Sequence, residues 1–140
     1  MIQEIMILNK AGIALFYHNF TDRKMKDIQI IAGYFDLICR YTRNSLNDTL
    51  KSFTLQDRRI FFYSHKSGLH VVFICENKSY KEKIFNYLAD IIIQKFIRLY
   101  NKELEKFNGE ISSFKSFSKE LEKTIKPKLL DKTSIPILDY

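Results

Sequence analysis

Residues 58–76 read RRIFFYSHKSGLHVVFICE, and this stretch decides the fold. Two runs rich in β-branched and aromatic residues flank Lys66-Ser67-Gly68, a combination that predicts a β-hairpin. Within each run the apolar residues occupy both parities. Ile60 and Phe62 oppose Phe61 and Tyr63; Val71, Phe73 and Cys75 oppose Val72 and Ile74. A strand with one wet face would alternate apolar and polar. These strands therefore lie in a sheet covered on both faces, which calls for helices on either side.

Working outward, Leu50–Leu55 predicts a short strand before the hairpin. At the start of the chain, residues 2–8 are β-prone, with Ile5 and Ile7 on one face and Met6 and Leu8 on the other. Asn9-Lys10-Ala11-Gly12 reads as a turn in which Gly12 takes positive φ. Ile13–His18 then forms the second strand of an N-terminal hairpin. From about Lys24 to Ser45 the period becomes helical, with Thr21 and Asp22 as candidate caps and Asn44–Asp48 as the terminator. Ser79-Tyr80-Lys81-Glu82 matches a capping box. It predicts a long helix reaching about Phe107, stopped by Asn108-Gly109. A further helix, about Ser113 to Ile125, carries Phe114, Phe117, Leu121 and Ile125 on one side and ends at Pro127. The order is β-β-α-β-β-β-α-α, in one domain over residues 1–126. Residues 127–140 show no clear period and read as a mobile tail.

Composition narrows the chemistry. In 140 residues, 46% apolar, there are four Gly, two Cys, three His and no Trp. The glycines are too dispersed for a phosphate-cradling loop, and the cysteines too few for a disulfide framework or a Cys-rich zinc site. His18, His65 and His70 have no metal-ligand spacing. Cys39 falls in a core stripe and Cys75 near a strand end, and neither has a base partner in view. Asp57-Arg58-Arg59 reads as a solvated turn. No catalytic site, cofactor site or metal site is expected, and the chain reads as a non-enzyme. The net charge of +7 is spread along the chain, densest at Lys123, Lys126, Lys128 and Lys132, and reads as a solvated surface. Arg and aromatic residues are not interleaved as in nucleic-acid binders, so nucleic acid is not an expected partner. The N-terminus lacks signal-peptide character, and the apolar run Ile91-Ile92-Ile93 is far too short to cross a bilayer. A cytoplasmic location, with reduced cysteines and at most peripheral membrane contact through partners, is expected.

The first helix carries two apolar stripes. Advancing about 100° per residue, Ile28, Ile31, Ala32, Phe35, Ile38, Cys39, Thr42 and Leu46 share one side and face the core. Ile30, Tyr34, Leu37 and Tyr41 form a second stripe roughly opposite. Gln29, Asp36, Arg40 and Arg43 fill the polar arc, where Asp36 and the arginines can pair along the helix. A helix on a sheet buries one stripe, so the second is left to a partner helix, a second copy of the domain, or a covering loop or tail of the same chain. Tyrosines suit such an interface. The long helix has a broader apolar arc, Phe85, Leu88, Ile92, Phe96, Leu99, Tyr100 and Phe107, which the sheet and the last helix cover together.

Three stretches carry a family resemblance: IQEIMILNKAGIALFYH from residue 2, RRIFFYSHKSGLHVVFICEN from 58, and IIIQKFIRLYNKELEKFNGEISSFKSF from 91. Over about residues 1–125 the chain resembles a longin domain, the profilin-like module of vesicle-trafficking proteins. It is similar to adaptor small-subunit chains in its last two helices. Roadblock domains share a related sheet, usually with fewer elements. The resemblance implies an α+β fold: a five-stranded antiparallel sheet with one helix on one face and two on the other. It also implies protein binding without catalysis. Longin and roadblock modules pair through the first helix and the neighbouring edge strand and serve as platforms for small GTPases. The edge strand here is residues 50–55, with Leu50 and Phe53 as candidates beside Ile30, Tyr34, Leu37 and Tyr41. Only about fifteen residues follow the third helix, so SNARE-type fusion is not implied. A stand-alone longin subunit, of the kind in archaeal and adaptor-like systems, is the closer analogy. The leading expectation is a dimerising adaptor or regulator of small GTPases in a vesicle-trafficking-like system. The alternatives are a structural subunit of a coat or tether without GTPase contact and, last, a small-molecule sensor.

Overall fold

A computed structural model describes residues 2–23 and 26–125. Residues 127–140, assigned above to a tail, lie outside the described residues. Five strands form one antiparallel sheet: β1 (Ile2–Leu8), β2 (Ala14–Asn19), β3 (Ser52–Thr54), β4 (Arg58–Ser64) and β5 (His70–Glu76). The spatial order is β2-β1-β5-β4-β3. Three helices accompany it: α1 (Ile28–Leu46), α2 (Glu82–Glu105) and α3 (Phe117–Thr124). The β-β-α-β-β-β-α-α order of the sequence reading holds.

The two-sided strands explain the layers. Met6, Leu8, Ile60, Phe62, Val72 and Ile74 face α1 and pack with Ala32 and Phe35. Ile5, Ile7, Phe61, Val71, Phe73 and Cys75 face the opposite side, where α2 and α3 cover them. One helix thus lies on one face and two on the other. The central strands β1 and β5 are buried on both faces, as a three-layer sandwich demands. A bulge adjusts the edge. Ile7 pairs with Phe16 and Leu8 with Ala14, so Leu15 is the extra residue. Leu15 and Phe16 then both enter the α2–α3 core while Ala14 and Tyr17 serve the α1 side.

Both hairpin turns need a glycine, since Gly12 has φ 79° and Gly68 φ 95°. In the first turn the Asn9 side chain accepts hydrogen bonds from the Ala11 and Ile13 amides at 2.9 and 3.0 Å.

The boundaries depart from expectation at the helix starts. Thr21 and Asp22 do not cap α1. Asn19 takes the Thr21 amide and hydroxyl instead, and α1 begins after Asp27, which sits at φ 55°. At the other end Asn47, φ 51°, closes α1 with its amide donated to the Thr42 carbonyl. Short polar side chains tolerate this left-handed conformation best among non-glycine residues. The Ser79–Glu82 capping box does not form: α2 begins at Glu82 with Lys81 in the cap position and no side-chain cap. The predicted helix from Ser113 is a 3-10 turn, Ser112–Phe114, followed by α3. Its four apolar residues Phe114, Phe117, Leu121 and Ile125 are all buried nonetheless. Phe114 and Phe117 meet the Phe96 and Tyr100 rings where α2 departs from helical geometry, Tyr100 having φ −121°. The Tyr100 and Ser116 hydroxyls lie 2.6 Å apart, tying α2 to the start of α3. Two residues assigned to the core are exposed instead: Leu46, in the last turn of α1, and Leu99 on α2.

Candidate functional site

The second stripe of α1 is bare. Ile30 is 72% exposed, Tyr34 57%, Leu37 63% and Tyr41 59%, while Ala32 and Phe35 on the opposite side are buried. Their spacing of four, three and four residues extends the stripe over about 16 Å of helix. The helix is held against the sheet by more than its apolar face. The Gln29 amide accepts a hydrogen bond from the Ala14 N–H at 2.8 Å and donates to the Ala14 carbonyl at 2.9 Å. It completes the edge of β2 as a neighbouring peptide unit would. Arg40 donates to Asp36 at 2.7 Å and to the Lys10 carbonyl, fixing the middle of α1 to the first hairpin.

The stripe runs into a cleft of about 460 Å³ between α1 and the β3 edge, where Tyr34, Ile31, Phe35, Phe53 and Leu55 meet. Phe53 is half-buried, its ring 6.4 Å from Phe35 and 5.6 Å from Phe62. Phe53 is therefore part wall of the cleft and part core. Leu50, expected on the edge strand, precedes it: β3 is only Ser52–Thr54, and Leu50 is half-buried against the α1-side core. Leu55 joins the cleft as an exposed apolar residue that the sequence reading did not single out. The signal was present, because Leu55 stands two residues beyond Phe53 and shares its parity. Glu4 was also missed as a cleft residue. It is buried on β1, and the Tyr17 hydroxyl donates to its carboxylate. Arg23 and Arg58 stand around the same cleft, giving an apolar recess a charged rim.

The remaining candidate residues occupy structural positions. Asp57-Arg58-Arg59 is not a wholly solvated turn, because both arginines begin β4 and are half-buried on opposite faces. Arg59 lies over the Phe61 ring at 5.0 Å and 4.0 Å from the Glu82 carboxylate. His18 sits between β2 and α3, 3.1 Å from the Ser118 hydroxyl and 3.7 Å from Glu122. Burial lowers its pKa, and Glu122 opposes that shift. Burial pushes the Cys39 thiol up to about 11 and the Cys75 thiol up to about 12, so both are poor nucleophiles near neutral pH. Among the described residues no group of three His, Cys, Asp or Glu could hold a metal ion. No helix of the described residues is long and apolar enough to cross a membrane.

No protein-family model matches the chain, and no curated protein matches it. Solved structures do. A Roadblock/LC7 domain from Streptomyces avermitilis aligns over 72% of this chain and 86% of its own, with TM-score 0.52 and 11% identity. The gliding protein MglB from Thermus thermophilus gives TM-score 0.47 and 8% identity over 54% of this chain; the chain spans 61% of that protein's length. MglB in a tetrameric arrangement gives 0.49 and 8% identity over 89% of this chain and 80% of its own. The Streptomyces likeness, together with the sheet order and helix placement above, defines the class: an α+β protein of the longin/roadblock-like fold.

Proposed function

We propose that this chain is a non-catalytic protein-interaction domain that dimerises, with itself or with a second longin or roadblock domain, through the outer stripe of α1 and the adjoining β3 edge. The observation that carries this reading is the stripe itself. Four large apolar residues in register on a rigid helix lie bare and lead into an apolar cleft, where most monomeric surfaces scatter such residues singly. Tyr34 and Tyr41 bring large contact area and a polar tip, the combination favoured at interface centres. Among the described residues β3 is an edge strand, and its outer backbone groups lie beside them.

The resemblance to longin modules supports a finer reading, an adaptor or regulator of a small GTPase in a vesicle-trafficking-like system. Its setting is cytoplasmic, with membranes reached only through partners. Affinity capture from native cell extract, followed by nucleotide-exchange or hydrolysis assays on any captured GTPase, tests it. A regulator alters the rate, and Leu37→Asp abolishes capture. A partner set free of GTPases, retained through the same stripe, instead favours a structural coat or tether subunit. Capture unaffected by Leu37→Asp overturns the interface itself.

A further inference from the structure

The fold gathers four basic side chains that are scattered in the sequence at one place. The two hairpin turns and the second half of α1 enclose a cleft of about 500 Å³. Lys10 enters it from the β1–β2 turn, Arg40 and Arg43 from α1, and Lys66 from the β4–β5 turn. Two carboxylates, Asp36 and Asp48, line it as well. Asp36 is engaged by Arg40, and Asp48 accepts the Thr49 amide at 2.8 Å. No ion pair among the described residues engages Lys10, Arg43 or Lys66. Gly68 makes the meeting of the turns possible, because the aliphatic chain of Lys10 lies where a β-carbon at Gly68 would stand. That contact delivers the Lys10 stem to the second hairpin.

The cleft has further polar equipment. His70 is half-buried, with Nδ1 at 2.9 Å from the Ser64 hydroxyl; His65 Nδ1 is 2.8 Å from the Ser67 hydroxyl. Asn44 and Thr49 add neutral hydrogen-bonding groups, and Leu50 with Cys39 supplies a less polar wall. Burial lowers the pKa of His70, with smaller contributions from Arg43 and Arg40 that Asp36 partly opposes.

We propose that this cleft binds a phosphate-bearing small molecule, its phosphate held by Lys10, Arg43 and Lys66. A phosphate monoester carries up to two charges at neutral pH and several acceptor oxygens, matching cations that arrive from three directions. The volume falls in the range of ligand pockets and exceeds what one phosphate fills, so the ligand carries an organic part against Leu50 and Cys39. The surface lies on the hairpin-turn end of the domain and includes none of Ile30, Tyr34, Leu37 and Tyr41.

The test uses the full chain, isotope-labelled for NMR, titrated with inorganic phosphate and pyrophosphate. A parallel arm measures co-sedimentation with phosphatidylcholine vesicles, with and without a phosphoinositide. Saturable shifts centred on Lys10, Asn44, Lys66, Gly68 and His70 are expected, with pyrophosphate binding at least tenfold tighter than phosphate. Arg43→Ala, at an exposed position, weakens this by tenfold or more. Lys66→Ala does the same, while Lys106→Ala, in the cap position after α2, leaves it unchanged. Binding of the soluble anions identifies a free phosphorylated ligand, and binding only to phosphoinositide vesicles identifies a lipid headgroup. Shifts spread over all surface lysines, an adventitious ion only, or no binding in either arm overturn the proposal.

Discussion

Replacing Leu37 by alanine or aspartate separates a partner-facing stripe from a second core. Full burial of a leucine side chain contributes about 1.5–3 kcal/mol relative to exposure. Leu37 is 63% exposed, so covering it would add about 1–2 kcal/mol of the transfer term. Leu37→Ala forfeits most of that contact, weakening association about tenfold for each copy of the stripe, since 1.4 kcal/mol is a factor of ten. In a two-fold symmetric dimer the loss counts twice, about a hundredfold. Leu37→Asp costs more, because an unpaired carboxylate would be desolvated at the centre of the contact. The isolated fold should hardly respond. The side chain makes little of the core, and aspartate in a helix interior costs about 0.5 kcal/mol in propensity. Sedimentation equilibrium over a wide concentration range reads the first effect, and chemical denaturation of the dilute protein reads the second. If wild type is monomeric alone, association is read with its captured partner. Unchanged association in Leu37→Asp, or loss of several kcal/mol in the dilute protein, would refute the reasoning.

Other consequences of the structure are equally direct. Phe35→Ala, next to Tyr34 in the chain but about 100° round the helix and buried against Phe53 and Phe62, should cost about 3–5 kcal/mol in denaturant unfolding, the usual loss for a buried phenylalanine. Gln29→Ala deletes both amide bonds to Ala14 and should lower stability by about 1–3 kcal/mol, with faster hydrogen exchange at Ala14. Both thiols, with pKa values about 11 and about 12, should react with iodoacetamide far more slowly in the native protein at pH 8 than after denaturation. His18 and His70 have folded pKa values below the ordinary 6.5. The unfolded chain therefore takes up their protons first, so their contribution to stability is full above about pH 6.5 and declines as pH falls toward the folded values. Melting at pH 7 and pH 5.5 checks this, and the decline should be smaller in His18→Asn than in wild type.

The parts of the fold that were legible in the sequence share a cause. β4 and the two hairpin turns could be read because apolar parity and turn glycines are local properties, and Arg58–Ser64 emerges unaltered. The helix starts could not. The Ser79–Glu82 signature is a favourable local arrangement, yet the chain leaving β5 bends otherwise, with the Tyr80 hydroxyl donating to the Glu76 carbonyl at 2.9 Å. Likewise Asn19 draws Thr21 into a turn of its own, and α1 waits until Asp27. Leu46 and Leu99 fit their apolar arcs by angle but are exposed, because an angular plot carries no information on where the covering elements stop. In the candidate site, the α1 stripe was visible from spacing alone, whereas Leu55 and Glu4 needed the cleft to be seen.

The sequence alone determined the element order, the two-faced sheet and the spare apolar stripe, since each follows from residue periodicity over a few turns of chain. Tertiary structure decided which charges and side chains share a space. Lys10, Arg43 and Lys66 are far apart in the chain and look like scattered solubility charges. Antiparallel pairing of β1 with β5 brings both hairpin turns to one end of the sheet, and Arg40 holds α1 against them. Charge acts through distance in space, and that distance is fixed only when the strands find their register.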